Sequence, residues 1–207
     1  WSEKYRPQSI SDMVGNEEPR ASIIEWFAKW KKGTKPLLIV GPPGIGKTTI
    51  AYLLAKKFDY DMIGLNASDV RSKSRINEIL TPVLGNVSVL GTPMIFVDEV
   101  DGIHGRGDYG GAAALVDILK KSNIPILLAA NYDDSDKMKS IKKTVTTISF
   151  KKIPPRLLRV YLDNILQKEN EKLSPGSLIK VIDKSKGDIR SMINLTQSLI
   201  TGFNPQT

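Results

Sequence analysis

The chain has 207 residues, of which 41% are hydrophobic, and 30 Lys and Arg against 22 Asp and Glu give a formal net charge of +8. That is enough for one large or two small domains with a packed core, and no apolar stretch approaches the roughly 20 residues that span a bilayer. The absence of cysteine and the single histidine, His104, exclude disulfides, thiol catalysis, Cys-based zinc and any site needing two imidazoles, so metal chemistry here must use oxygen ligands.

Trp1-Ser2-Glu3-Lys4-Tyr5-Arg6-Pro7 opens the chain as an irregular stretch. Pro7 pushes Arg6 out of helical conformation, and the segment is expected to lie extended against the body. The first residue is not an initiator Met, and the chain stops at Gln206-Thr207 shortly after a helical pattern, so it reads as part of something longer. Asn16-Glu17-Glu18-Pro19 offers capping chemistry, and Ile23, Ile24, Phe27 and Trp30 recur at helical spacing. This predicts a helix over 17–32, ended by Gly33. Trp26 and Trp30, four apart, fit either a core face or a base-stacking surface.

The run Pro36-Leu37-Leu38-Ile39-Val40 predicts a buried strand. It leads through Gly41-Pro42-Pro43-Gly44-Ile45-Gly46-Lys47-Thr48 into the helical pattern Thr49 to Lys57, which fits GxxxxGK[ST] without a gap. Strand, glycine-rich turn and helix are what a phosphate cradle requires, because inward-turned backbone N–H groups and the positive helix N-terminus both favour an anion. Gly41 to Thr49 are the predicted nucleotide-binding residues. Lys47 is the point charge for the β- and γ-phosphates, and Thr48 is an oxygen ligand for Mg2+.

Residues 60–66 predict a second strand running into Ala67-Ser68-Asp69. In 70–84 an apolar helical face built on Ile76, Ile79, Leu80 and Val83 follows Arg71, Lys73 and Arg75. Cations at a helix N-terminus oppose its dipole, so these three are either solvated or offset by an anion. They are the candidate contacts to a polyanionic partner, which the net positive charge favours. Pro93-Met94-Ile95-Phe96-Val97-Asp98-Glu99 predicts a central parallel strand ending in two carboxylates. Asp98 is placed to hold Mg2+ and Glu99 to polarise the attacking water. Gly105-Arg106-Gly107-Asp108-Tyr109-Gly110 spells a dinucleotide fingerprint, but it follows a polar loop, so it is read as a mobile loop, and His104 beside it receives no role.

A helix is expected from Ala112 to Lys121, and Ile124 to Asn131 predicts a strand ending in an uncharged hydrogen-bonding group that can orient the same water as Glu99. From Tyr132 to Lys152 the chain is rich in Lys and Thr, with Thr146 to Phe150 as a last strand and no arginine between Tyr132 and Pro155. Ile153-Pro154-Pro155 marks a boundary before three helical patterns, Arg156 to Lys168, Pro175 to Lys184 and Asp188 to Ile200. The fold class is α/β: a parallel-sheet nucleotide domain over 1–152 and a small all-helical domain over 153–207.

Taken together, the phosphate loop, Asp98-Glu99, Glu3-Lys4-Tyr5-Arg6-Pro7, Val14-Gly15-Asn16, Asn66-Ala67-Ser68-Asp69 and Gly187-Asp188-Ile189-Arg190 resemble the AAA+ ATPases, and more narrowly the clamp loaders of the replication factor C family. The resemblance implies an AAA+ domain with a helical lid, ATP and Mg2+ as cofactors, and slow hydrolysis in isolation. It places Tyr5, Arg6, Pro7 and Val14 at the adenine, and makes Asn131 the first sensor and Arg190 the second, reaching from the lid to the γ-phosphate. Arg190 on its own residues is otherwise a solvated helix position. The implied partners are clamp-loader small subunits, a sliding clamp and primer–template DNA, in the cytoplasm of an archaeon or the nucleus of a eukaryote.

Asp98-Glu99-Val100-Asp101-Gly102 and Lys139-Ser140-Ile141-Lys142-Lys143, the latter standing where small subunits carry a Ser-Arg-Cys box, are more similar to the large subunit. The family's C-terminal collar is absent from this chain. An AAA+ remodeller of junctions or stalled forks, and a checkpoint-type clamp loader that hydrolyses little, are the alternatives.

Overall fold

A computed structural model describes residues 1–66, 69, 74, 76–78, 80–81, 91–103, 111–131 and 134–202. Its centre is a five-stranded sheet of β1 (Leu37–Val40), β2 (Tyr60–Asn66), β3 (Thr92–Asp98), β4 (Ile126–Ala130) and β5 (Thr146–Ser149), in the order β2-β3-β4-β1-β5. Every pairing is parallel, with Leu37 beside both Leu127 and Thr146. Such a sheet must be covered on both faces, and the side-chain period of two delivers that. Leu37, Ile39, Phe96, Leu127 and Ala129 enter one apolar cluster, while Leu38, Val40, Val97, Leu128 and Ala130 enter the other.

Helices α1 (Glu17–Lys29) and α2 (Lys47–Lys57) supply Ile23, Phe27, Ile50 and Leu54 to the first cluster, and α3 (Gly111–Lys121) and α4 (Asp136–Lys142) supply Leu115, Leu119, Met138 and Ile141 to the second. Ile76 and Leu80, both helical and fully buried, lie in the second cluster as well. Truncating a residue such as Leu54, at 0% exposure, to Ala costs about 2–5 kcal/mol. Beyond the sheet come α5 (Pro155–Glu169), α6 (Pro175–Ser185) and α7 (Ile189–Thr201). Prolines at the first turns of α5 and α6, and side-chain caps from Ser174 and Asp188, fix where these helices start. Leu158, Leu162, Leu178, Val181 and Met192 join the first cluster, so the apolar core is continuous across the Ile153 junction.

Several expectations are corrected. Helix α1 stops at Lys29 instead of 32, because Trp30 leaves helical conformation at ψ 133 and a turn closes between Lys31 and Thr34 through bonds of 2.9 and 3.0 Å. Asn16 precedes α1 but does not cap it with its side chain; it sits at φ 51 and exchanges hydrogen bonds of 2.9 and 2.8 Å with the Lys151 backbone. The opening segment is not extended but turns on itself, with Tyr5 N–H donating to the Trp1 carbonyl at 2.9 Å. Pro7 constrains only its immediate neighbour, which leaves the earlier residues free to turn. Helix α4 was not expected at all. Asp188 lies outside α7 as its cap. Trp26 and Trp30 are half-buried, and Trp26 packs edge-on against Phe27 with ring centroids 5.1 Å apart, which is the core-facing alternative.

Candidate nucleotide site

β1 ends at Val40 on the carboxyl edge of the sheet, where parallel α/β folds place their ligands. Gly41 N–H continues the ladder to the Ala130 carbonyl at 3.1 Å, and the chain then turns through Gly44 at φ +71 and Gly46 at φ +99 into α2. Those angles are open to glycine and strained for other residues, which is why the cradle needs glycine at both. The first turn of a helix leaves N–H groups without intrahelical partners, and the loop and first turn of α2 line a cavity of about 340 Å³.

Lys47, the first residue of α2, is buried at 7% exposure. Its three ammonium protons go to the Gly41 carbonyl at 2.6 Å, the Pro42 carbonyl at 2.7 Å and Asn131 Oδ1 at 2.8 Å. Burial pushes the ammonium below the ordinary lysine value, against opposing pulls from Asp98, Asp101, Asp188 and Glu99 in that order. Next to it, the Thr48 hydroxyl donates to Asp98 Oδ2 at 2.7 Å, while Asp98 Oδ1 accepts from the Glu99 N–H at 2.9 Å. Glu99, at φ 55, lies just beyond β3, exposed and on the cavity wall.

The structure brings the predicted residues to this one cavity. Pro43 to Thr49, Tyr5, Arg6, Pro7 and Val14, and Asp98, Glu99, Asn131 and Arg190 all belong to its lining. Gly41 and Pro42 do not line it; their carbonyls hold Lys47 from beneath. Arg190 is exposed and stands in the first turn of α7. That helix docks on the phosphate loop itself: the Ile189 N–H donates to the Gly44 carbonyl at 3.1 Å, and the Asp188 carboxylate accepts from Ser191 N–H at 2.9 Å.

Sequence reasoning missed Met13, Tyr161, Ile189 and Ile193, which also line the cavity. The pair Ile189 and Ile193, four apart around Arg190, carried a readable helical signal. Tyr161 carried none, since its place follows from the opening segment folding back onto α5. Arg71, Lys73 and Arg75 fall outside the described residues, as do His104 and the Gly105–Gly110 loop. Among the described residues there is no group of three or more His, Cys, Asp or Glu able to hold a metal, and no helix long and apolar enough to cross a membrane.

Comparison with known proteins identifies the family. Residues 37–170 match the model of the ATPase family associated with various cellular activities (AAA). Over 98% of its length the chain is 43% identical to a replication factor C large subunit of Thermofilum pendens, covering 50% of that protein. It is 39% identical to the replication factor C large subunit of Methanosphaera stadtmanae, over 97% of this chain and 38% of that one. The chain thus spans half or less of the length of these curated relatives. Among solved structures, a Thermotoga maritima RuvB variant matches with a TM-score of 0.70 at 16% identity, over 95% of this chain and 65% of that one. At that identity the likeness is one of fold. The chain therefore belongs to the AAA family of ATPases, and within it is similar to the archaeal large subunits of replication factor C.

Proposed function

We propose that this chain is the nucleotide-binding part of a clamp-loader large subunit, which binds ATP with Mg2+, hydrolyses it, and with small subunits loads a sliding clamp onto primer–template DNA inside the cell. The observation that carries the reading is the pair of contacts Lys47 Nζ to Asn131 Oδ1 and Thr48 Oγ1 to Asp98 Oδ2, 2.8 and 2.7 Å, on the floor of one cavity. Similarity to the large subunits over nearly the whole chain supplies the wider context.

Thr48 and Asp98 offer two hard oxygens, which suits Mg2+, an ion that keeps most of its shell from phosphate and water. When bound, it would neutralise charge on the β- and γ-phosphates. Lys47 is already desolvated and hydrogen-bonded to loop carbonyls and Asn131, so nucleotide phosphates would exchange for weaker acceptors at a cation held in place. Glu99 would take the proton of the attacking water, Asn131 would orient that water, and Arg190 would bring positive charge from α7. Tyr5, Arg6, Pro7 and Val14 would hold the adenine. The domain division at 152 and 153 then separates a phosphate-gripping body from a closing lid.

No arginine occurs between Tyr132 and Pro155, and α4 carries Lys139 and Lys142 instead. Lysine does not reproduce the planar multi-donor geometry of guanidinium, so the chain would receive an activating arginine from a neighbour without donating one, at the end of an open arc. The test is ATP turnover of the chain alone, then with small subunits, clamp and primed DNA. Slow hydrolysis alone and acceleration in the assembly are expected; rapid hydrolysis by the monomer would overturn the arc arrangement, and no effect of clamp or DNA would overturn the loader reading.

A further inference from the structure

The segment that opens the chain is fastened at two places in the fold. Its later half belongs to the sheet side: Arg20 of α1 donates to the Gly15 carbonyl at 2.8 Å and the Ile10 carbonyl at 3.1 Å, and Asn16 is bonded to Lys151. Its earlier half belongs to α5. The Tyr161 hydroxyl donates to the Tyr5 carbonyl at 2.9 Å, and two turns along the same helix Glu169 accepts from the Tyr5 hydroxyl and, at 2.5 Å, from Lys4 Nζ. One contact fixes the backbone of Tyr5 and the other its side chain. Residues eight apart lie on one helix face, so both contacts hold the same strip of chain. The Glu169 carboxyl is held below its ordinary range by Lys4 and then Tyr5, which keeps it an acceptor at neutral pH.

We infer that Tyr161 and Glu169 are positioning residues for the nucleotide base. They carry Tyr5, Arg6 and Pro7 on α5, so that this part of the base pocket is held from the C-terminal helices while Val14 and the phosphate loop are held from the sheet side. The inference rests on the reading of the cavity as an ATP site. Its lining holds two kinds of surface: Tyr5, Pro7, Tyr161, Ile189 and Ile193 offer aromatic and apolar groups suited to a flat heteroaromatic ring, and residues 43–48 offer the anion cradle. Loosening the Tyr5 clasp should therefore weaken what the base contributes and leave what the phosphates contribute.

The experiment compares MgATP with magnesium tripolyphosphate, a probe of the phosphate loop alone, by titration calorimetry on the wild-type chain, Tyr161→Phe and Glu169→Ala. Tyr161→Phe, which removes one hydrogen bond, is expected to weaken ATP by about fivefold, and Glu169→Ala, which removes two, by at least as much, with tripolyphosphate affinity unchanged in both. Glu169 lies at the end of α5 and alanine is a strong helix former, so Glu169→Ala keeps the test open if Tyr161→Phe folds poorly; thermal unfolding of both variants monitors this. Unchanged ATP affinity in folded variants, or equal losses of ATP and tripolyphosphate, would overturn the inference. If the wild-type chain bound tripolyphosphate and ATP equally, the base pocket would be refuted, and if it bound neither, the nucleotide reading itself would fail.

Discussion

A single methyl group at Gly44 tests how α7 is seated on the phosphate loop. Gly44 is at φ +71, and a Cβ there would lie 2.0 Å from the carboxyl carbon of Asp188. Placing alanine in that left-handed conformation costs about 1 kcal/mol. The Asp188 carboxylate must also swing away from Ser191 N–H, losing a cap of about 1 kcal/mol, and the Ile189 N–H bond to the Gly44 carbonyl is worth about as much. Gly44→Ala should therefore destabilise the chain by about 3 kcal/mol in urea unfolding. Only the backbone share persists when the carboxylate is absent, so Gly44→Ala combined with Asp188→Ala should cost about 1–2 kcal/mol less than the two changes added. Additive costs would refute direct seating of α7 on the loop.

Glu99→Gln should keep ATP affinity while slowing turnover by about 10²–10⁴-fold, because the cradle stays and only the water-activating base is lost; equal losses in both would make Glu99 structural. Burial holds Lys47 below 10.5, so its charge is complete at low pH and is lost as pH rises through the lowered value. ATP affinity should therefore fall with rising pH before 10.5 is reached, and an affinity constant up to that pH would contradict the burial. In the same window the unfolded chain binds more protons, so this group's contribution to stability rises with pH. Neutralising Arg71, Lys73 and Arg75 together should weaken DNA binding of the assembled loader regardless of sequence and flatten its salt dependence, as measured by titration at several ionic strengths; an unaltered slope returns them to solvent.

The parts of the fold readable from the sequence are those whose information is local. The loop from Gly41 to Thr48 is set by glycines between an apolar run and a helix, and Asp98 and Glu99 by the end of a continuously apolar strand, so these came out of spacing alone. Helix α4 was hidden because Asp136 to Lys142 is mostly polar. Its only signals are Ser135, which caps Met138 N–H at 3.2 Å, and the buried pair Met138 and Ile141 three apart, which a short helix shares with many loops. Asn16 has a capping residue's identity, but its side chain is taken by the Lys151 backbone 135 positions away, and tertiary contact outweighed local preference. Tyr161 was invisible for the same reason, since its place beside the cavity depends on a hydrogen bond to Tyr5 across 156 positions.

The claim that this cavity is an ATP site turns on Lys47, the one phosphate-loop cation. Titration of MgATP into the wild-type chain and into Lys47→Ala by calorimetry tests it most directly. Loss of a buried charge-assisted contact of about 3 kcal/mol predicts an affinity lower by about 100-fold in the variant, whereas equal affinity in the two proteins would contradict it.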